Sequence, residues 1–304
     1  MVLVQLLGHW FESLDYDYHI ASHCSRHVSP RSSCMACIDS CPVDAIYLEN
    51  GQPVIDIGSC TECGNCVASC PVQAVEGFLP KWKIQNGCLF MDDNHIPTVK
   101  ELLIYYKSGM STLVSDKQDI HPEWKKTIEE ANQMLEDLGE SPFQISFDQA
   151  ALSHENKLSR RELFTLWDKE LKKMGKDITP AKWRFNHESL NLSQAYPDYQ
   201  FTEISLDITS CTVCGACEKL CPKECFTIDK NHFSISAQQC TNCTLCQDIC
   251  PEGAISLKQI ISPASTVEHH MYYNECSSCE KTFETLDQEN DVCMFCRLKQ
   301  TAWG

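Results

Sequence analysis

The chain has 304 residues, including 22 cysteines, and a formal net charge of −17 at pH 7. This length allows two or three domains, and the acidic balance disfavours binding to nucleic acid or to anionic membranes. No stretch approaches the roughly 18 consecutive apolar residues of a membrane span, and no export signal is visible. Thiols at this density indicate a reducing compartment, and we therefore expect a cytoplasmic protein.

The first predicted element is a helix within residues 1–23. Its apolar side chains recur at helical spacing and form one stripe, made of Leu3, Leu6, Leu7, Trp10, Phe11 and Leu14. A stripe of this kind packs against a core or docks a partner, and the sequence leaves both roles open.

Four cysteine blocks are found further along the chain, and three of them share the spacing Cys-x2-Cys-x2-Cys-x3-Cys-Pro. These three blocks begin at Cys60, Cys211 and Cys240. Three thiolates two residues apart let one tight loop reach three irons of a cubane, and this spacing is the one that holds a [4Fe–4S] cluster. Because a zinc site does not need it, these blocks predict iron–sulfur clusters and electron transfer.

The first block begins at Cys24 and departs from this spacing. The other cysteines of the first two blocks recur 180 residues later, but the counterpart of Cys211 is Arg31. We expect Cys24, brought in by a seven-residue insertion, to supply the missing ligand. His23 or His27 is the alternative ligand, and a three-thiolate [3Fe–4S] cluster is a further alternative.

The middle of the chain, residues 78–200, has no cluster motif and one cysteine, Cys88. Apolar strand-like runs alternate there with helix-like stretches, in the order 83–91, 98–107, 111–114, 122–138 and 143–147. This alternation predicts a small parallel α/β unit. A capping box predicts a third helix over 159–175, and the polar segment 186–200 predicts a linker.

The last four-cysteine set forms two knuckles near the end of the sequence. Its members are Cys276, Cys279, Cys293 and Cys296. This is the spacing of a zinc ribbon. A rubredoxin-like iron site uses the same ligands, but Glu280 and Arg297 follow the knuckles where a rubredoxin has glycine or aromatic residues. We predict one Zn²⁺, with iron or a redox dithiol pair as alternatives.

Segments 24–77 and 205–258 each resemble the bacterial dicluster ferredoxin family. The segments after the motifs also fit, as in Pro-Val-Asp-Ala-Ile at 42–46 and Pro-Glu-Gly-Ala-Ile at 251–255. In that family a small residue lies against the cluster, and Cys225 occupies this position in the third block. We interpret Cys225 as a small buried apolar residue and not as a ligand.

The resemblance implies crossed ligation, in which the fourth cysteine of each block binds the cluster of the neighbouring block. Carried over residue by residue, it assigns four clusters. The first two sets are Cys24, Cys34, Cys37 and Cys70, and Cys60, Cys63, Cys66 and Cys41. The other two are Cys211, Cys214, Cys217 and Cys250, and Cys240, Cys243, Cys246 and Cys221.

The predicted fold class is α+β: two ferredoxin-like 2[4Fe–4S] modules flank a small α/β insert, and a zinc ribbon follows. We place the N-terminal helix at 1–23, the first module at 24–77 and the insert at 78–200. The second module is placed at 201–262 and the ribbon at 263–304.

Every strong motif is a set of cluster ligands, which favours an electron-transfer subunit or partner of a cytoplasmic oxidoreductase, such as a molybdopterin or flavin enzyme. The negative charge favours a protein partner with a basic docking face. One alternative is a redox enzyme whose middle domain holds a substrate or a further cofactor, and another is a redox sensor or assembly factor. A turnover assay on the chain alone would separate carrier from enzyme.

Overall fold

The computed structural model of the chain describes residues 18–77, 82–85, 87–93, 95–147 and 190–302. The predicted N-terminal helix up to residue 17 and the predicted helix over 159–175 lie outside these ranges. The helix prediction over 1–23 is wrong for residues 18–23, which contain the strand His19–Ile20. Within them the fold is mixed α/β, with short helices and several small sheets. No helix in the described part of the chain is both long and apolar enough to cross a membrane.

The described residues divide into two compact units. The first unit contains residues 18–21, 37–48 and 53–147, with 190 and 191, and the second contains 22–36, 49–52 and 192–302. The seven-residue insertion that brings in Cys24 therefore belongs to the second unit, and so does the matched cysteine Cys34. The domain boundaries drawn from the sequence stay a prediction.

The N-terminal cysteine region consists of short elements joined by loops. They are β1 (His19–Ile20), α1 (Ser25–Val28), α2 (Ala36–Asp39), β2 (Ile46–Glu49), β3 (Gln52–Ile55), α3 (Asn65–Ser69) and β4 (Val75–Glu76). Strands β2 and β3 form a two-stranded sheet, and β1 pairs antiparallel with β4. The elements stay short because the cysteine loops interrupt every run of regular structure.

The middle of the chain forms a four-stranded sheet with two helices. Its elements are β5 (Ile84–Gln85), β6 (Cys88–Phe90), α4 (Val99–Lys107), β7 (Thr112–Val114), α5 (Pro122–Asp137) and β8 (Gln144–Ser146). Strands β6, β7 and β8 are parallel neighbours, and β5 pairs antiparallel with β6. The predicted parallel α/β unit is therefore confirmed.

Local sequence explains why these helices begin where they do. The Thr98 hydroxyl accepts a hydrogen bond from the backbone N–H of Glu101, and the Glu101 carboxylate accepts one from the N–H of Thr98. This reciprocal capping box satisfies two backbone donors that the first turn leaves without partners. Helix α5 begins at Pro122, where the missing N–H costs nothing.

The core of this α/β unit is built from side chains on both helices and on two strands. Leu89, Leu102, Leu113, Trp124 and Leu135 are completely buried. The cysteine-bearing helix α3 belongs to the same unit. The Lys100 ammonium on α4 donates to the backbone oxygen of Ala68 on α3 over 3.0 Å. The middle of the chain thus packs on the region of the second cysteine block.

The second unit repeats the pattern of short helices after cysteine loops. Its elements are α6 (Leu192–Ala195), β9 (Tyr199–Leu206), α7 (Ala216–Leu220), β10 (Phe226–Ile228), β11 (His232–Ser236), α8 (Leu245–Ile249), β12 (Ile255–Pro263), β13 (Thr266–His270), β14 (Tyr272–Glu275), β15 (Thr282–Thr285) and α9 (Met294–Ala302). Strand β9 pairs antiparallel with β12, and β11 lies between β10 and β13.

One hydrophobic core joins the cysteine loops of this unit to its C-terminal hairpin of β14 and β15. Phe226, Phe233 and Ile255 are buried in this core together with Met271 and Leu286. The region of the last four cysteines therefore shares apolar packing with the third and fourth blocks.

The prediction of a linker over 186–200 is wrong for its described part, residues 190–200. That part contains α6 and the beginning of β9. Leu190 and Tyr196 are buried, and the Tyr196 ring lies edge-on to Phe201 with centroids 5.9 Å apart. The apolar side chains that look scattered in the sequence are ordered by this tertiary packing.

Candidate metal centres

The fourth cysteine of every block accepts the same hydrogen bond. In each case the donor is the backbone N–H four residues later, and the acceptor is the sulfur. The pairs are Ala45 to Cys41 at 3.2 Å, Ala74 to Cys70 at 3.1 Å, Cys225 to Cys221 at 3.4 Å and Ala254 to Cys250 at 3.3 Å. Each block therefore ends in a sulfur that accepts a backbone hydrogen bond, and hydrogen bonds to ligand sulfurs influence the potential of a bound cluster.

Left-handed backbone conformations also recur across the 180-residue offset. The matched positions are Asp44 and Glu224, Glu62 and Asn242, Gly64 and Thr244, and Gln73 and Gly253, all with φ between 52° and 78°. Such conformations cost a non-glycine residue roughly 1–2 kcal/mol. Their recurrence at matched positions indicates that the loops are shaped to wrap a ligand.

Three of the four predicted ligand sets each line one small cavity. The first cavity, in the first unit, is lined by Cys41, Cys60, Cys63 and Cys66. The second unit has one cavity lined by Cys211, Cys214, Cys217 and Cys250, and another lined by Cys221, Cys240, Cys243 and Cys246. In each cavity three sulfurs come from one block and the fourth from its neighbour. The donor set of four thiols in an apolar pocket fits a cubane.

The remaining predicted set is divided between the units. Cys24 and Cys34 lie in the second unit, and Cys37 and Cys70 lie in the first. This set stays a prediction that rests on the sequence.

The loop around Cys34 differs in backbone conformation from the matching loop around Cys214. Among the described residues, Val213 and Gly215 have φ of 53° and 73°, but their counterparts Ser33 and Met35 do not have positive φ. The sequence signalled this departure through the absent cysteine at position 31.

Arginine 26 organises the inserted loop. The Arg26 guanidinium donates to the backbone oxygens of Cys34 and Gly51 and to the sulfur of Met35. Cys24 precedes helix α1 and is 8% exposed. One cation thus ties together the loop that contains both Cys24 and Cys34. Sequence reasoning did not identify this role, because the partners are backbone oxygens and a thioether.

Burial sets the protonation of several thiols in the metal-free chain. Burial raises the pKa of Cys66 and Cys217 to about 12. Burial also raises the pKa of Cys243 to about 11, with further contributions from the neighbouring thiols Cys221, Cys240 and Cys34. These thiols hold their protons at neutral pH, so metal ions must displace the protons when the thiolates bind them.

Cys225 is buried, as predicted, but its thiol also has polar neighbours. It is 2% exposed at the position held by alanine in the other blocks. A hydrogen bond from the Cys225 thiol lowers the pKa of Cys221 to about 6 and that of Cys240 to about 7. Cys225 therefore lies against the sulfurs of one candidate cluster site.

We expect Cys225→Ala to keep the full iron content of the protein, because Cys225 adds a fifth thiol to a complete ligand set. Hydrogen bonds to ligand sulfurs influence cluster potential. We expect the potential of one cluster to fall when this donor is removed. Iron analysis and a redox titration measure both effects, with Cys221→Ala as the variant that loses a cluster. Loss of iron from the Cys225→Ala protein would show that Cys225 is a ligand.

The four C-terminal cysteines form a compact group. The sulfurs of Cys276, Cys279, Cys293 and Cys296 all lie within 4.8 Å of one another. Cys276 and Cys293 are buried, and the Cys293 N–H donates to the Cys276 sulfur over 3.3 Å. Four sulfurs from two knuckles suit tetrahedral Zn²⁺ or mononuclear iron.

A further cleft of about 480 Å³ lies at the carboxyl ends of β6 and β7. Its lining includes Trp82 and Phe90 together with acidic and basic side chains. Lys117 pairs with Asp93, and the Lys83 ammonium lies 4.2 Å from the centre of the Phe90 ring. Parallel sheets bind ligands at this edge.

Comparison with known protein families identifies one domain. Residues 31–74 match the family model described as a 4Fe–4S dicluster domain. The matched range begins after Cys24 and contains the other seven cysteines of the first two blocks. A search of curated proteins finds no match. The chain therefore contains a 4Fe–4S dicluster domain, and its many cysteines support an iron–sulfur electron-transfer role.

Proposed function

We propose that this chain carries four [4Fe–4S] clusters in two ferredoxin-like modules and transfers electrons as a subunit or partner of an oxidoreductase in a reducing, cytoplasmic compartment. The observation that carries the proposal is the pairing of sulfurs in the described cavities, where the fourth thiol crosses over from the neighbouring block. The match to a dicluster domain supports the first module. The recurring left-handed residues support the second.

A bound cubane would supply one-electron chemistry, and the chain's residues would tune it. The backbone donors to Cys41, Cys70, Cys221 and Cys250 lie at 3.1–3.4 Å from sulfur. Such donors favour the more negative, reduced state and so raise the potential. The four C-terminal sulfurs would hold one Zn²⁺, which would fix the C-terminal region to the core of the second unit.

The net charge of −17 supports a protein partner with a basic docking face, because opposite charges steer association. We propose that such a partner is the enzyme that donates or accepts the electrons.

Metal analysis of anaerobically prepared protein tests the proposal. Four thiolate sets predict about 16 irons per chain, and the C-terminal group predicts about one zinc. About eight irons with several zinc ions would contradict the four-cluster proposal. About 17 irons and no zinc would show that the C-terminal group binds a single iron instead of zinc.

The cleft at the carboxyl edge of β6 and β7 favours a second candidate function, a redox enzyme whose middle unit binds a substrate. Aromatic and charged residues line that cleft in the same unit as the second cysteine block. Turnover of redox substrates by the loaded chain alone would favour this candidate. Electron transfer that always requires a partner enzyme would favour the carrier.

A further inference from the structure

The segment 22–36, which includes the seven-residue insertion, is fixed to the fourth cysteine block inside the second unit. The backbone N–H of Ser33 donates to Asp248 Oδ2 over 2.7 Å, and the Ser33 hydroxyl donates to Asp248 Oδ1 over 2.9 Å. The same carboxylate accepts the Thr244 hydroxyl at 2.8 Å. Hydrogen bonds to an ionised acceptor are stronger than those between neutral groups. One carboxylate thus joins two segments that are 215 residues apart in sequence.

These residues stand beside candidate ligands of both halves of the chain. Ser33 directly precedes Cys34, and Thr244 directly follows Cys243. Asp248 lies on α8, between the last two cysteines of its block. The contact therefore connects the backbone around one thiolate site to the backbone around another.

The contact is specific to this pair of loops. Across the 180-residue offset, the counterpart of Ser33 is Val213 and the counterpart of Asp248 is Ala68. Neither side chain can form such a hydrogen bond. The repeated cysteine pattern therefore does not require this contact. Ser33 and Asp248 form it, and the matching pair Val213 and Ala68 has no side chains that could.

The contact also explains why the Cys34 loop differs in backbone conformation from its counterpart around Cys214. Ser33 lacks the left-handed conformation of its counterpart Val213, and in its own conformation both its N–H and its hydroxyl reach Asp248. Arg26 binds the next residue, Cys34, through its backbone oxygen. The loop is thus fixed by a cation from within the insertion and by a carboxylate from the fourth block.

We propose that Ser33 and Asp248 are positioning residues that hold the backbone of Cys34 against the loop of Cys243 within the second unit. The proposal rests on the proposed function, since the contact affects electron transfer when both sites are loaded. It deepens that function, because a cluster bound at Cys34 and a cluster bound at Cys243 would exchange electrons over a path that this contact keeps fixed.

Spin–spin coupling in the fully reduced, fully loaded chain tests this role. We expect wild-type protein to show coupling within each cluster pair and between the pairs. Ser33→Ala combined with Asp248→Ala should keep the coupling within each pair and lose the coupling between them. Hydrogen exchange of residues 22–36 should become faster in the same variant, because the segment loses its anchor on α8.

Ser210→Ala is the matched control. Ser210 also precedes a block cysteine, and its hydroxyl donates to an aspartate, Asp207, over 2.6 Å, but that aspartate belongs to the same loop. This variant should retain coupling between the pairs. If the double variant loses iron, Asp248→Asn, which keeps one acceptor oxygen, takes its place.

Two results would overturn the inference while leaving the proposed function intact. One is wild-type protein with about 16 irons but no coupling between the pairs. The other is unchanged coupling between the pairs in the double variant. An iron content well below this value in wild-type protein would instead overturn the proposed function.

Discussion

Cys24→Ser protein should retain three [4Fe–4S] clusters and show a [3Fe–4S] electron-spin signal from the fourth site, with a loss of about one iron of about 16. The expectation follows from the position of Cys24, which is 8% exposed in a loop that Arg26 ties to Cys34. A serine hydroxyl is a poor replacement for a thiolate, so one iron of that cubane loses its ligand. Iron analysis and electron-spin resonance measure the change.

Arg31→Ala is the control for this variant, because Arg31 occupies the position of the absent cysteine and has no sulfur. It should keep the full complement of four cubanes. If Cys24→Ser also kept four cubanes, the fourth ligand would have to be His23, His27 or water.

Cys293→Ser should abolish metal binding at the C-terminal group and destabilise the hairpin of β14 and β15. Cys293 is buried, and its N–H donates to Cys276. Structural zinc contributes about 10–16 kcal/mol of apparent binding free energy in small zinc domains, and this energy stabilises the fold. Because Leu286 lies in the core of the second unit, the loss should also lower the melting temperature of that unit.

Zinc content, hydrogen exchange of residues 276–296 and thermal unfolding measure this effect. Cys88→Ser is the control, since Cys88 lies outside every cysteine block and is half-buried in the α/β unit. That variant should keep its zinc and the protection of the hairpin. Full metal content with unchanged exchange in Cys293→Ser would contradict a structural metal site.

The cysteine spacing was readable from the sequence because it encodes local geometry. The first three cysteines of a block, such as Cys60, Cys63 and Cys66, lie close together in one loop and supply three ligands of one predicted set. The helix-like stretch predicted over 98–107 matches α4, and the capping box of Thr98 and Glu101 that the structure shows at its beginning is local in the same way. Hydrophobic periodicity likewise located α4, α5, β7 and β8, but the single run predicted over 83–91 is divided into the two antiparallel strands β5 and β6.

Tertiary packing decided the features whose partners are distant in the sequence. Strand β13 joins β11 in register from His232 with His270 to Ser236 with Thr266, and nothing in the local pattern of either strand specifies the other. Tyr196 reads as part of a polar linker until its packing against Phe201 is known. Burial of this kind depends on which surfaces meet, and a single-sequence pattern does not contain that information.

The sequence by itself therefore indicated an iron–sulfur protein, because the type of ligand and the spacing within each cysteine block are local features of the chain. The structure decided how the loops of these blocks are held. The Ser33–Asp248 contact joins residues that are 215 positions apart in the sequence, and Arg26 acts through backbone oxygens that have no sequence signature. Both depend on long-range placement of the backbone. Closing a loop of about 200 residues has an entropic cost that only the collective packing of the fold offsets.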